Sequence, residues 1–283
     1  MLVTLKEILK DAKEQKYAVG AFNVTSVQGL MAAVDAAQEL GSPVIVSHAQ
    51  QHGEYIPIEV IGPAMLEYAR RATVPVCVHL DHGVSYDLLM KAMRIGFTSV
   101  MFDGSALPYA ENVACTREIV RAAHAMGVSV EAELGQLATS ESGEATGAAQ
   151  ADLYTNPDQA LEFVQKTGVD ALAIAFGTAH GVYHSTPVLD FDRIRLIREK
   201  TDLPLVMHGG SGIDAQGFRT AIQNGICKIN YYTYMVLAGG QGVRRFVEEK
   251  GGDKELYFHD ISVAAYQAMK ANCAEAIGVF YGK

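Results

Sequence analysis

The sequence predicts an α/β fold, a (β/α)8 TIM barrel with a long lid loop after the fifth strand and a C-terminal helical extension. Three observations lead there. Eight short runs of apolar and β-branched residues recur along the chain. Stretches with helical periodicity separate them, as in a parallel sheet with crossover helices. Many of those stretches end in the glycine expected just past a helix, at Gly41, Gly96, Gly127, Gly168 and Gly225. Eight such units favour a closed barrel over an open doubly wound sheet. The 283 residues suit one barrel of roughly 250 residues with additions, so 1–283 is expected to be a single domain.

The opening segment, MLVTLKEILKDAKEQK, sets leucines at helical spacing among charges and has no uninterrupted apolar stretch of the kind a secretory leader needs. The first two strand runs, Val19–Asn23 and Pro43–Ser47, flank a helix over Leu30–Leu40. Val76–Asp81, Ser99–Asp103 and Ser129–Glu133 follow, spaced by helices over Asp87–Ile95 and Asn112–Met126. Leu134–Thr155 breaks the pattern. It is polar, rich in Gly, Ala, Ser and Thr and poor in large apolar residues, which reads as a lid or binding loop rather than a buried element. A helix over Pro157–Thr167 leads into Ala171–Phe176, whose alternation puts Ala171, Ala173 and Ala175 towards a crowded axis and Leu172, Ile174 and Phe176 towards helices. Leu205–His208 and Cys227–Asn230 complete the eight, preceded by helices over Phe191–Lys200 and Ala215–Asn224. Gly239–Lys254, with GGQG and GGDK, is expected to mark a change before a last amphipathic helix, Ser262–Phe280, in an extension of about 236–283.

Lys and Arg number 23 against 32 Asp and Glu, a formal net charge of -9, with neither sign concentrated in a run. That balance argues against nucleic acid or an anionic membrane surface as partner. It leaves room for a small anionic substrate, because backbone N–H groups bind phosphate without net positive charge. Cys77, Cys115, Cys227 and Cys273 make no C-x-x-C pair and read as buried thiols in a reducing compartment. No apolar run approaches the roughly 18–20 residues of a membrane span, so a cytoplasmic protein is expected.

Residues at the carboxyl ends of barrel strands converge on one rim. His82 follows the third run, His180 lies in the loop after the sixth, and His208 ends the seventh. Three neutral imidazoles with an open fourth position suit Zn2+ or a similar divalent Lewis acid. A lone histidine would read as a turn or core residue, but three of them beside glycines or carboxylates on separate units read as a metal site. Asp81 is either a general base near that metal or a partner orienting His82. Glu133, on one face with Glu131, is either a second metal ligand or a buried hydrogen-bond partner. His208-Gly-Gly-Ser-Gly212 and Asn230–Thr233 fall after strands seven and eight, where this fold commonly binds phosphate. Glu141 and Glu144 read as solvated charges unless the loop supplies an acid. His48, His52, His79, His124, His184 and His259 receive no functional assignment.

Taken in order, Gly20-Ala-Phe-Asn23, His79-Leu-Asp-His-Gly83, Glu131-Ala-Glu-Leu-Gly135, Ala175-Phe-Gly-Thr-Ala-His-Gly181, His208-Gly-Gly-Ser-Gly212 and Lys228-Ile-Asn230 resemble the signature segments of class II metal-dependent ketose-bisphosphate aldolases. The likeness spans about residues 5 to 235. It implies a TIM barrel, a catalytic Zn2+, a dimer or tetramer, and reversible retro-aldol cleavage of a ketose 1-phosphate or 1,6-bisphosphate of the fructose or tagatose type. The products would be dihydroxyacetone phosphate and an aldehyde. Carried over by position, His82, His180 and His208 match the zinc ligands, Asp81 the acid/base at the C4 hydroxyl, and Glu133 an alternative or structural metal position. Gly181, Gly209, Ser211 and Thr233 match the dihydroxyacetone phosphate site, and Asn23 and Asn230 match contacts to the same half of the substrate. A monovalent cation, Na+ or K+, near the Gly181 and Gly209 carbonyls is usual in such proteins, and Glu141 or Glu144 would be the loop acid.

Three departures matter. Ser47-His-Ala49 stands where Gln-x-Ser is common, Tyr232 where Asp, Asn or Ala is common, and no arginine follows Arg245, although bisphosphate-cleaving members carry one for the second phosphate. The dihydroxyacetone phosphate end is therefore expected to be retained and the aldehyde end to differ. A zinc hydrolase on the same barrel is disfavoured, because the first run ends in Asn23 rather than in a His-x-His pair. A non-catalytic sugar-phosphate sensor would be expected to have lost Asp81 or a ligand, and none is missing.

Overall fold

The computed structural model describes residues 1–136, 138–139, 153–181, 187–251 and 255–282. Eight parallel strands form the barrel: β1 (Val19–Asn23), β2 (Val44–Ala49), β3 (Val76–Gly83), β4 (Ser99–Phe102), β5 (Ser129–Leu134), β6 (Ala171–Ile174), β7 (Leu205–Met207) and β8 (Ile226–Tyr231). Each pairs with the next, and the β8–β1 pairing closes the ring. All eight expected runs are strands, their ends moved by a residue or two. Leu2–Val3 adds a short parallel strand to the lower edge of β3.

Around the barrel run α2 (Val27–Leu40), α3 (Ile58–Arg71), α4 (Tyr86–Ile95), α5 (Tyr109–Ala125), α6 (Pro157–Thr167), α7 (Phe191–Thr201), α8 (Ala215–Asn224), α9 (Thr233–Lys250) and α10 (Phe258–Tyr281), after an N-terminal α1 (Leu5–Gln15). The expected helices are present, and α3 is an addition whose Gly62-Pro63 interrupts the periodic pattern. Of the change expected in Gly239–Lys254, the described part is Gly251, the left-handed cap that ends α9 ahead of α10. α9 runs unbroken through its glycines because it crosses α10 closely: a Cβ on Gly242 would lie 2.9 Å from the Ala264 carbonyl oxygen, and one on Gly239 would lie 2.9 Å from Met269 Cγ. Helix contact overrides the propensity cost of glycine here. No described helix is long and apolar enough to cross a membrane.

The core has two layers. Between strands and helices lies the larger cluster, which includes Leu172, Ile174 and Phe176. Inside the barrel, Ala171 and Ala173 join Val19, Ala21, Ile45, Cys77 and Val206, small enough to admit α1 as a plug. α1 buries Leu5, Ile8, Leu9 and Ala12 at the i, i+3, i+4, i+7 spacing of one helical face. Each buried leucine or isoleucine there contributes about 1.5–3 kcal/mol of apolar transfer energy. α1 thereby fills the end of the barrel opposite the carboxyl ends of the strands.

Loop Leu134–Thr155 is anchored at both ends, so the expectation that it holds no buried element fails there. Leu134 belongs to β5, and Thr155 is buried, accepting from the Ala175 N–H through Oγ1 (2.8 Å) while its own N–H donates to the Ala175 carbonyl (3.0 Å). Gln136 N–H donates to the Leu153 carbonyl at 2.9 Å. Ala138–Thr139 pairs in parallel with Ala179–His180, which puts His180 in a short strand rather than a free loop. Glu141 and Glu144 lie outside the described residues.

Candidate active site

Strand alternation should turn Asp81 and His82 to opposite faces of β3. Both line the same cavity. The pairing of β3 with β4 slips between Leu80 and Gly83, and His82 takes a left-handed φ of 45°. This bulge swings His82 back to the rim, the use to which bulges beside active sites are commonly put. Gly83 permits it, since a Cβ there would lie 2.8 Å from the Met101 carbonyl oxygen. The unusual backbone of His82 costs of order 1–3 kcal/mol and persists because the surrounding barrel holds it.

His82, His180 and His208 come together as read from the sequence, with potential ligand nitrogens within 4.8 Å of one another. Carboxylates set two of the tautomers. His82 Nδ1 lies 2.8 Å from Asp103 Oδ2, and His208 Nε2 lies 2.9 Å from Glu131 Oε1. Both carboxyl groups resist burial strongly enough to stay charged: Lys228 and His208 bring Glu131 down to about 2, and His82 with Ser105 holds Asp103 below the usual carboxylate range. A charged carboxylate only accepts, so Nδ1 of His82 and Nε2 of His208 carry the protons. Asn230 Nδ2 is also 3.4 Å from His208 Nε2, but the shorter, charged contact decides.

His82 Nε2 and His208 Nδ1 face each other at 2.9 Å. A proton on His82 Nε2 can bridge the pair, and a metal ion that takes that proton's place finds both nitrogens aimed at it. The surrounding charge agrees. Burial opposes a positive His82, yet Asp81, Asp103 and Glu133 outweigh it and lift its pKa to about 10. Burial, then His82 and His208, keeps His180 neutral, its pKa lowered to about 3, as a ligand must be. The donor set fits a divalent ion with imidazole preference.

Glu133 is buried, and its Oε2 has no hydrogen-bond partner while lying 3.7 Å from His208 Nδ1 and 3.9 Å from His82 Nδ1. Burial pushes its pKa up to about 8. With His82 and Asp103 it forms a second group within metal-binding reach. Asp81 receives both Asn23 Nδ2 (2.8 Å) and Asn230 Nδ2 (3.1 Å). Burial opposes its charge, but His82, His208 and Lys228 prevail and hold it well below the usual carboxylate range.

Gly181, Gly209, Ser211 and Thr233 line the same 1030 Å³ cavity, together with Asn23, Asn230 and Glu133. Thr233 opens α9, whose N-cap, Tyr232, supplies no side-chain hydrogen bond, so the first-turn N–H groups need other acceptors. Gly209 has φ 66°, and a Cβ there would collide with the Ala179 carbonyl oxygen. Gly209→Ala is expected to cost about 1–3 kcal/mol of stability and to weaken binding in the cavity that Gly209 lines. Thermal unfolding and steady-state kinetics check both.

Three residues without a sequence assignment prove central: Asp103, Glu131 and Lys228. Asp103 closes the fourth run as Asp81 does the third, and Lys228 sits within the apolar run Ile226–Ile229, where a buried ammonium needs a carboxylate. Those signals were available. His52 also lines the cavity, its ring 4.5 Å from that of Tyr232, while His79 lies inside the barrel with Nδ1 2.8 Å from Ser99 Oγ.

The sequence matches the family described as fructose-bisphosphate aldolase class-II over residues 3–283. The chain belongs to that family. The match extends past residue 235 and takes in both C-terminal helices. Among solved structures, this class II aldolase is similar to the YdjI aldolase from Escherichia coli K12, with 38% identity over 99% of this chain and 97% of that one and a TM-score of 0.86. A putative fructose-1,6-biphosphate aldolase from Coccidioides immitis follows at 27% identity, 98% and 96% coverage and TM-score 0.84. The fructose-bisphosphate aldolase of Campylobacter jejuni, at 24% identity, 99% and 95% coverage and TM-score 0.81, shares the fold.

Proposed function

We propose that this class II aldolase cleaves a ketose 1-phosphate reversibly to dihydroxyacetone phosphate and an aldehyde that carries no phosphate. The observation that carries this reading is the charge of the cavity. Its described lining holds Asp81, Asp103, Glu133 and Glu54 and no lysine or arginine. The undescribed residues 140–152 contain Glu141, Glu144 and Asp152 and again no lysine or arginine. One phosphate can sit among the Gly181, Gly209 and Ser211 backbone and the first turn of α9, which needs no cationic side chain. A second one, beside Gln50, His52 and Glu54, would meet a carboxylate and a histidine whose pKa burial lowers to about 4.

His82, His180 and His208 would hold Zn2+, with Glu133 and Asp103 at a second position. Bound there, the ion supplies the Lewis acid that stabilises the charge left on the three-carbon fragment when C3–C4 breaks. Asp81 takes the C4 hydroxyl proton, the C4–O bond becomes the aldehyde carbonyl, and the C3–C4 electron pair stays with the three-carbon fragment. Glu141 or Glu144 then protonates C3, and the loop excludes water. Asn23 and Asn230 hold Asp81 and contact the dihydroxyacetone half. A monovalent cation at the Gly181 and Gly209 carbonyls, a homodimer or homotetramer, and a cytoplasmic location complete the proposal.

The test is synthesis from dihydroxyacetone phosphate with a panel of aldehydes. Glyceraldehyde, glycolaldehyde and lactaldehyde are expected to exceed glyceraldehyde 3-phosphate at least tenfold in kcat/KM. Preference for the phosphorylated aldehyde would overturn the single-phosphate reading and point to a cation brought by another subunit.

A further inference from the structure

Below the rim, the barrel interior holds a lysine that the reaction itself does not use. Lys228 is fully buried, as are Glu131 and His79. Its ammonium donates to Asn230 Oδ1 at 2.7 Å and to Glu131 Oε1 at 3.1 Å, and makes an ion-pair contact of 2.8 Å with Glu131 Oε2. We propose that Lys228 is a positioning residue that sets the side-chain amide of Asn230 so that Asp81 is held for proton transfer at the C4 hydroxyl. The inference rests on the acid/base reading of Asp81 given above.

An asparagine amide can turn over, exchanging its oxygen and nitrogen at little intrinsic cost, and only its partners fix which end points where. In Asn230 the oxygen faces Lys228, and a lysine ammonium can only donate, so the nitrogen must face the other way. There it donates to Asp81 Oδ1 at 3.1 Å. Asn23 Nδ2 meets the other oxygen, Oδ2, at 2.8 Å, and the carboxylate is pinned at both ends. Without Lys228, a turned amide would set the Asn230 oxygen against a carboxylate oxygen, and Asp81 would lose one of its two restraints. The same ammonium balances Glu131, which orients His208. One buried charge thus reaches the acid/base through Asn230 and a metal ligand through Glu131, and the two routes can be separated.

The separating variant is the pair Lys228→Met with Glu131→Gln. The amide oxygen at 131 can still accept from His208 Nε2, and the zinc content reads whether that ligand keeps its orientation, while Asn230 Oδ1 loses its donor. The pair also avoids the unpaired buried carboxylate that Lys228→Met alone would leave. Three quantities are read: zinc per chain, exchange of the C3 proton of dihydroxyacetone phosphate with deuterated water, and cleavage of the ketose phosphate. The exchange step needs the metal and the loop acid and does not involve Asp81.

Zinc is expected to remain at the level of the unaltered chain, exchange to fall less than threefold, and cleavage kcat to fall at least thirtyfold with KM little changed. Parallel loss of exchange and cleavage, or no loss of either, would overturn the proposal. Asp81→Asn, measured alongside, separates the two readings. If it abolishes cleavage selectively and the double variant does not, Lys228 has no positioning role and the acid/base reading stands. If it leaves cleavage intact, the acid/base reading falls and the Lys228 proposal falls with it.

Discussion

Asp81→Asn is expected to lower cleavage by roughly 10^2–10^4 while zinc stays bound, the range for loss of a positioned acid/base. The metal survives because the imidazoles of His82, His180 and His208, and the carboxylates that orient them, Asp103 and Glu131, are untouched. Turnover is expected to fail for two reasons that follow from the acid/base role proposed for Asp81. An amide cannot take the C4 hydroxyl proton. It also brings an NH2 group to a place where Asn23 and Asn230 already present donors from both sides, at 2.8 and 3.1 Å. The carboxylate has a structural share as well: its folded pKa lies below the ordinary aspartate value, so its charge stabilises the fold at neutral pH and ceases to do so as the pH falls through that depressed pKa. Metal analysis, thermal unfolding and single-turnover cleavage separate these effects. Cleavage within tenfold of the unaltered chain would remove Asp81 from the acid/base role.

The barrel was legible because each strand carries a local signal. Ala171 to Phe176 alternates by size, and the structure sorts it that way, Ala171 and Ala173 inward and Leu172, Ile174 and Phe176 outward. The three histidines were legible from their places at strand ends. The bulge at His82 was not, since no residue type announces a positive φ at a histidine, and simple alternation would have turned that ring towards the helices. Nor does sequence spacing reveal the Lys228–Glu131 pair, whose members lie 97 residues apart and meet only because closure of the barrel brings β5 and β8 within side-chain reach. The glycines of α9 misled in the opposite direction. Local propensity reads them as breakers, but contact with α10 uses them as the surface on which two helices approach.

Stripping the metal is expected to abolish cleavage, by at least about 10^3, with recovery on adding Zn2+; electrostatic stabilisation of developing charge is commonly the largest catalytic contribution. Binding should also carry a signature that belongs to this site. The protein groups alone hold His82 at a pKa of about 10, so near pH 8 that imidazole is protonated before the ion arrives. Metal ligation requires the neutral ring, so binding must expel about one proton. The sign is fixed: affinity rises with pH, by roughly tenfold per unit below the His82 value, and levels off above it. Glu133, raised to about 8, sharpens the dependence if it joins the ion, because it too must lose a proton. Calorimetry in buffers of different ionisation enthalpy counts these protons directly. His180→Ala removes one ligand and leaves the carboxylate-bound pair, so it should weaken zinc strongly yet preserve the proton release. Activity indifferent to thorough chelation, or zinc uptake without proton release, would contradict a cation between His82 Nε2 and His208 Nδ1.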